Sequence, residues 1–114
     1  MEQPIQEKSF HFAVRIVKLC KHLQATQKEF VLTKQLLRWG TSIGANVAEA
    51  QQAQSRPDFI SKLNIALKES YETDYWLRLM DATQILTQEE YASIIADCRE
   101  LEKLLISIIK TAKA

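Results

Sequence analysis

Glycine and proline are almost missing from this chain, with two of each in 114 residues. Few points therefore exist at which an element is forced to stop, and long elements are expected. Cysteine is equally sparse at two, which excludes a disulfide framework, and Cys20 and Cys98 form no Cys-x-x-Cys pair of the kind zinc or redox chemistry needs. Both fall on apolar stripes, where a thiol packs as a small inert hydrophobe. Strict apolar/polar alternation is absent, so β-strands are not expected. No stretch approaches the ~20 apolar residues of a membrane span, and the opening MEQPIQEKSF carries acids in place of an apolar signal region. A cytoplasmic protein with no membrane partner is the expectation.

What remains is an ordinary globular composition, 46% apolar and 25% charged, in a length that suits one domain over residues 1–114. Apolar residues recur at spacings of three and four, the mark of amphipathic helices. The stripes are Phe12, Ile16, Leu19, Leu23; then Leu32, Leu36, Trp39, Ile43, Val47, Ala50; then Phe59, Leu63, Ala66, Ser70, Thr73, Leu77, Met80. A fourth, Tyr91, Ile94, Cys98, Leu101, Leu105, Ile108, Ala112, keeps a heptad rhythm. Ser55 before Pro57 and Asp58, and Thr87 before Glu90, read as helix N-caps. The pattern predicts an all-α, antiparallel up-down-up-down four-helix bundle with helices over about 9–25, 31–53, 57–86 and 88–112, and Pro4 in a leading tail. Gly40, Gly44 and Ala48 sit four apart and make a smooth ridge. It suits either tight helix packing or a backbone-lined groove.

Catalytic constellations are not found. Neither His11 nor His22 has the Glu-x-x-His spacing of a di-metal bundle, and there is no phosphate-cradling glycine loop or nucleophile elbow. The sequence therefore predicts no catalytic or metal residues, no cofactor and no enzyme. Glu69, Glu72 and Asp74 read as solvated or interface carboxylates. Asn46 projects close to the apolar stripe, so it should be largely buried and needs a partner, either a carboxylate of the third helix such as Glu72 or a backbone carbonyl, and it and Glu49 are expected to serve structure.

Charge is divided more unevenly than the net +1 suggests. Residues 1–57 hold eight Lys/Arg and four acids, and residues 58–114 hold seven and ten, so the halves stand at +4 and −3. Lys8, His11, Arg15, Lys18 and His22 line one helix face, and Lys34 with Arg38 adds a second pair. Lys8, Arg15, Lys18, Lys34 and Arg38 are thus candidate contacts to RNA or DNA phosphates, the alternative being a plain solvated face. The third helix has a second apolar side: Ile65, Trp76 and Leu79 project opposite Phe59, Leu63 and Leu77, with Tyr71 and Tyr75 between. A subunit interface explains it best, against a ligand groove or scattered exposed aromatics.

The run Ser42-Ile43-Gly44-Ala45-Asn46-Val47-Ala48-Glu49-Ala50, with Ser55, Asp58-Phe59, Leu63, Ile65-Ala66 and the acidic Glu72 and Asp74, resembles a bacterial family. These are the four-helix-bundle proteins encoded within intervening sequences of 23S ribosomal RNA genes, related to the accessory variability proteins of diversity-generating retroelements. The resemblance spans nearly the whole chain, departing at Lys68-Glu69, where members often carry Gly-Ser. It implies an antiparallel bundle assembled as a homopentamer, with Asn46, Glu49, Asp58 and Glu72 as structural polar positions. It also implies nucleic-acid binding in the retroelement relative, which is strongly basic, whereas this chain has a pI near 7.8. Two readings follow. One is a non-enzymatic oligomeric scaffold or adaptor with an unidentified protein partner; the other is a nucleic-acid-binding accessory protein that uses the basic half.

Overall fold

The computed structural model describes residues 4–114. Four helices account for nearly all of them: α1 (Pro4–Gln27), α2 (Val31–Ala50), α3 (Arg56–Ala82) and α4 (Gln88–Lys113). Each packs along its neighbour in sequence, and a lighter seam between α4 and α1 closes the ring of helices. Contacts across the seams fix the directions. Gly40 meets Ile16 and Gly44 meets Ser9, whereas Lys8 bonds Glu100 and Arg15 bonds Asp97, so partner numbers fall as α1 numbers rise. The result is the predicted up-down-up-down bundle, 45 × 24 × 19 Å.

The stripes converge as the spacing requires. Phe12, Ile16 and Leu23 of α1 meet Leu36, Ile43 and Val47 of α2, Leu63, Leu77 and Met80 of α3, and Leu101 and Leu105 of α4, all essentially without solvent exposure. Burying one such side chain stabilises by roughly 1.5–3 kcal/mol, so the seams are held chiefly by apolar contact. Hydroxyls on the stripes follow the usual rule for buried polar groups. Thr33, Ser70 and Thr73 each donate back to a carbonyl of their own helix or its lead-in, those of Glu29, Leu67 and Glu69.

Both predicted caps are present. The Ser55 hydroxyl accepts from the Asp58 amide, with Pro57 in the first turn, and Thr87 and Glu90 form a reciprocal capping box. At α2 the residue in the cap position is Phe30, which has no capping side chain. Glu29 substitutes from one residue further back, its carboxylate accepting from the amides of Val31 and Thr33.

Three boundaries differ from the sequence expectation. The first helix begins at Pro4, not near residue 9, because proline suits a first helical position and Ile5, 2% exposed, extends the α1 stripe by about two turns, through the buried Ser9. The second ends at Ala50 and not residue 53, since Gln51, Gln52 and Ala53 tighten into bonds to residues three before them. The third stops at Ala82 and not residue 86. There Gln84 enters the left-handed region at φ 61°, and the amides of Ile85 and Leu86 turn back onto the Met80 carbonyl.

The ridge of Gly40 and Gly44 is a packing device. A methyl at Gly40 would stand 2.8 Å from the Ile16 side chain, and one at Gly44 would stand 3.1 Å from the Ser9 carbonyl oxygen. On an open helix face Gly→Ala stabilises by roughly 1 kcal/mol. Gly40→Ala is expected to do the reverse, because overpacking a filled core costs about 1–3 kcal/mol and Ile16 has nowhere to move. Thermal unfolding checks this: the midpoint should drop by several degrees, and a rise would show that Ile16 yields freely.

Candidate functional site

The densest polar group lies across the α3–α4 seam. Asp74, one turn after Ser70 on the core side of α3, is 8% exposed. Its two oxygens accept from Arg78 Nε at 2.9 Å, within the same helix, and from Arg99 Nε at 3.2 Å, from α4. Glu102 and Cys98 complete the group, with ligand-type atoms of Asp74, Cys98 and Glu102 all within 4.8 Å of one another. Burial pushes the Asp74 carboxyl up, but hydrogen bonds from Glu102, Arg99 and Arg78 outweigh it and hold Asp74 below its ordinary value. Glu102 moves the other way. Burial, then the hydrogen bond and charge of Asp74, push it up to about 7, so one proton is shared between the two carboxyls near neutrality.

Such a trio has the donors of a metal site, but both Asp74 oxygens are already engaged by guanidiniums. The Cys98 thiol is pushed up by burial and by the Glu102 and Asp74 charges, and it donates to the Ser70 carbonyl. Cys20 is likewise buried and raised to about 11, by burial first and the Glu29 charge second. Both thiols stay protonated and unreactive, as their place on the stripes suggested. Asp74 was expected to be a solvated or interface carboxylate. It is instead buried, because α4 brings Arg99 to it.

Asn46 does reach across to an α3 carboxylate, though the partner is Glu69 and not Glu72. Its Nδ2 donates to Glu69 Oε1 at 2.7 Å and more weakly to the Ser42 carbonyl. Asn46 is half-buried, less than the largely buried position expected, and Glu72, three residues after Glu69, faces solvent. Glu49 is exposed and lies 3.4 Å from Lys62. Asp58 turns back to accept from the Gln54 amide, steadying the α2–α3 turn.

The candidate phosphate-binding residues separate into two groups. Lys8 donates to Glu100 at 2.8 Å, and Arg15 binds Asp97 together with the Ser93 hydroxyl. With His22 near Glu90 at 3.6 Å, these form a ladder along the α1–α4 seam, so the basic stripe of α1 is largely answered by acids of the same chain. Lys18, Lys34 and Arg38 are exposed, the last stacked 4.9 Å over Trp39.

Of the predicted second face of α3, Ile65 is 40% exposed, while Trp76 and Leu79 are half-buried, Trp76 packing against the core with its indole Nε1 buried and unpartnered. Tyr71 and Tyr75 are exposed beside them. Trp39, Ile65 and Tyr71 line a shallow groove of about 480 Å³ with Lys68, Glu69 and Glu72. A further apolar strip was not anticipated. Phe10, 67% exposed, joins Ala13, Val14 and Val17 along the outside of α1, flanked by Lys18 and Lys21, and Phe10 also overhangs Gly44 and Ala48 of α2. Its signal was the four-three spacing of Phe10, Val14 and Val17 on the face opposite Phe12 and Ile16.

The Asp74–Glu102 pair makes stability depend on pH. Because the folded value of Glu102 lies above its unfolded one, its contribution is complete below about 4.5 and is lost as pH rises through about 7. Glu102→Gln, which keeps the shape without the charge, is expected to raise the melting temperature at pH 8 and leave it nearly unchanged at pH 5. Calorimetry at the two pH values checks this, and an equal effect at both would show that Glu102 titrates normally.

The family model for the 23S rRNA-intervening sequence protein matches residues 1–107. No curated protein matches the chain. Among solved structures it is similar to a protein of unknown function from the S23 ribosomal protein family of Bacteroides thetaiotaomicron. Identity is 63% and the TM-score 0.92, with 93% of this chain and 98% of that one covered. Among the described residues no helix is long and apolar enough to cross a membrane. With the family pattern running through nearly the whole sequence and the same fold found at that identity, the chain belongs to the 23S rRNA-intervening sequence protein family.

Proposed function

We propose that this protein is a non-enzymatic, homo-oligomeric scaffold or adaptor. The carrying observation is the amount of apolar surface that the bundle leaves outside: Phe10 and Val14 on α1, and Ile65, Tyr71 and Tyr75 on α3. A four-helix bundle needs one buried stripe per helix, and contiguous apolar surface beyond that marks a contact. Ile65 is the exposed member of the predicted interface trio, and Trp76 and Leu79, about three and four turns further along α3, are half-buried. The family resemblance supplies a pentamer as the expected number. Light scattering at micromolar concentration should return a multiple of the 13.1 kDa chain mass. A monomer would overturn this reading.

A nucleic-acid role is the second reading, supported by Lys18, Lys34 and Arg38, which remain exposed after Lys8 and Arg15 have been taken up by Glu100 and Asp97. Repetition around an oligomer would let weak sites act together. On this reading the oligomer is retained on RNA or DNA at about 50 mM salt and released as salt rises, and Lys18→Glu with Arg38→Glu weakens retention. Arg15 is the wrong residue for that test. Reversing its charge would set a carboxylate against Asp97 and loosen the α1–α4 seam, so lost binding would not report on phosphate contact. Failure of the wild-type oligomer to be retained at low salt would remove the nucleic-acid reading.

A further inference from the structure

The half of the chain that counts as acidic carries a row of unanswered cations. Residues 58–114 stand at −3, yet from Arg99 to Lys113 helix α4 holds four Lys/Arg against two acids. Ala96, Arg99, Lys103, Ile106, Lys110 and Lys113 follow a three-four spacing that sets them on one side of the helix, turned away from the core positions Ile94, Cys98, Leu101 and Leu105. All six are exposed.

The nearby acids do not cancel this row, because they are engaged elsewhere. Glu100 pairs with Lys8 and Asp97 with Arg15 across the α1–α4 seam. Asp74 lies between Arg78 and Arg99, and Glu102 shares a proton with it. Glu90 is occupied in its capping box, and Glu89, in the first turn of α4, stands about 15 Å along the axis from Arg99. Among the described residues, Lys103, Lys110 and Lys113 have no ion-pair partner. By taking up the acids of α4, the cations of α1 leave those of α4 free.

The row runs about 21 Å from Arg99 to Lys113. Lysine is depleted at the cores of protein interfaces, which need aromatic or aliphatic anchors, and Ile106, 44% exposed, is the one large apolar member here. No aromatic stands in the row for an unpaired base to stack on. A straight file of mostly lysine point charges suits a phosphate backbone. A duplex offers that backbone most densely, with one charge per about 1.7 Å of axis against about 3.4 Å for one strand. We propose that the outer face of α4 docks the backbone of a nucleic-acid duplex, through Arg99, Lys103, Lys110 and Lys113 and without regard to base sequence. This rests on the nucleic-acid reading above and gives it a principal contact beyond Lys18, Lys34 and Arg38.

Salt titration of binding to a short duplex of arbitrary sequence tests it, on the full chain. Lys103→Gln with Lys110→Gln removes two contacts at exposed, unpaired positions, and circular dichroism confirms the fold. The plot of log affinity against log salt should lose about 2 in slope, at about 0.9 per phosphate, and affinity at about 50 mM salt should fall roughly tenfold or more. Should the pair fail to fold, Lys103→Gln alone, with a slope loss of about 0.9, takes its place. Arg99 is left intact because it holds Asp74 across the α3–α4 seam. Duplexes of unlike sequence should bind alike, and a single strand of the same length more weakly. A wild type that binds neither duplex nor single strand overturns the nucleic-acid reading and this face with it. A wild type that binds, with a slope the α4 variants do not change, overturns the α4 face and leaves the nucleic-acid reading to Lys18, Lys34 and Arg38. Preference for the single strand overturns the duplex assignment, and polyglutamate bound as tightly as duplex overturns the choice of nucleic acid over an acidic protein.

Discussion

The close approach of α1 to α2 at Gly40 and Gly44 is the constraint from which the other surfaces follow. With no side chain at Gly40, Ile16 fills the space above the α2 backbone, and with none at Gly44 the α1 main chain itself rests there. That contact fixes the rotation of α1 about its own axis. Once Ile16 and Phe12 point inward, Lys8 and Arg15 must turn toward α4, where Glu100 and Asp97 wait, and Phe10, Val14 and Val17 must turn out, Phe10 beside Ala48. The acidic side of α4 and the basic side of α1 are thus two consequences of one rotation. The ion pairs between them are exposed, and each contributes at most about 1 kcal/mol; they select the register while the apolar core supplies the strength.

Much of the fold could be read before it was seen, and the reason is that its determinants are local. The stripe of Leu36, Ile43 and Val47 has a helical period, and the caps at Ser55 and Thr87 depend on residues three positions apart. The endings were harder. Chain reversal falls to Lys28 and Gln84, which adopt left-handed backbone without being glycine or asparagine, so no residue type announced the turns. Pro4 reads as part of a leading tail, although its fixed φ also begins helices.

The polar arrangements were less legible because each depends on which turn of one helix meets which turn of another. Asn46 was matched to the correct helix and to a carboxylate, but Glu69 and Glu72 lie less than a turn apart and only the seam geometry separates them. Asp74 reads as a surface acid until α4 delivers Arg99 and Glu102 to it. The basic stripe read correctly as a stripe; that its charge is answered within the chain follows from the α1–α4 register, which is a tertiary fact. These clusters are buried or paired, and what stays exposed includes the Lys18, Lys34 and Arg38 cations and the apolar side chains of Phe10, Ile65 and Tyr71.

The order of packing also bears on how the chain reaches this state. Every heavy seam joins helices consecutive in sequence, α1 to α2, α2 to α3 and α3 to α4, and only the light α1–α4 seam links distant segments. Each helical hairpin can therefore form across a short turn, where loop-closure entropy is small, before the ends of the chain have met. Proteins built from such near-neighbour contacts fold fast, on a scale of microseconds to milliseconds. In this one the last seam to zip would be the α1–α4 ladder of Lys8 with Glu100 and Arg15 with Asp97. Until it does, the apolar strip of α1 is carried on a hairpin that is already formed, and that exposed surface can exist before the bundle is closed.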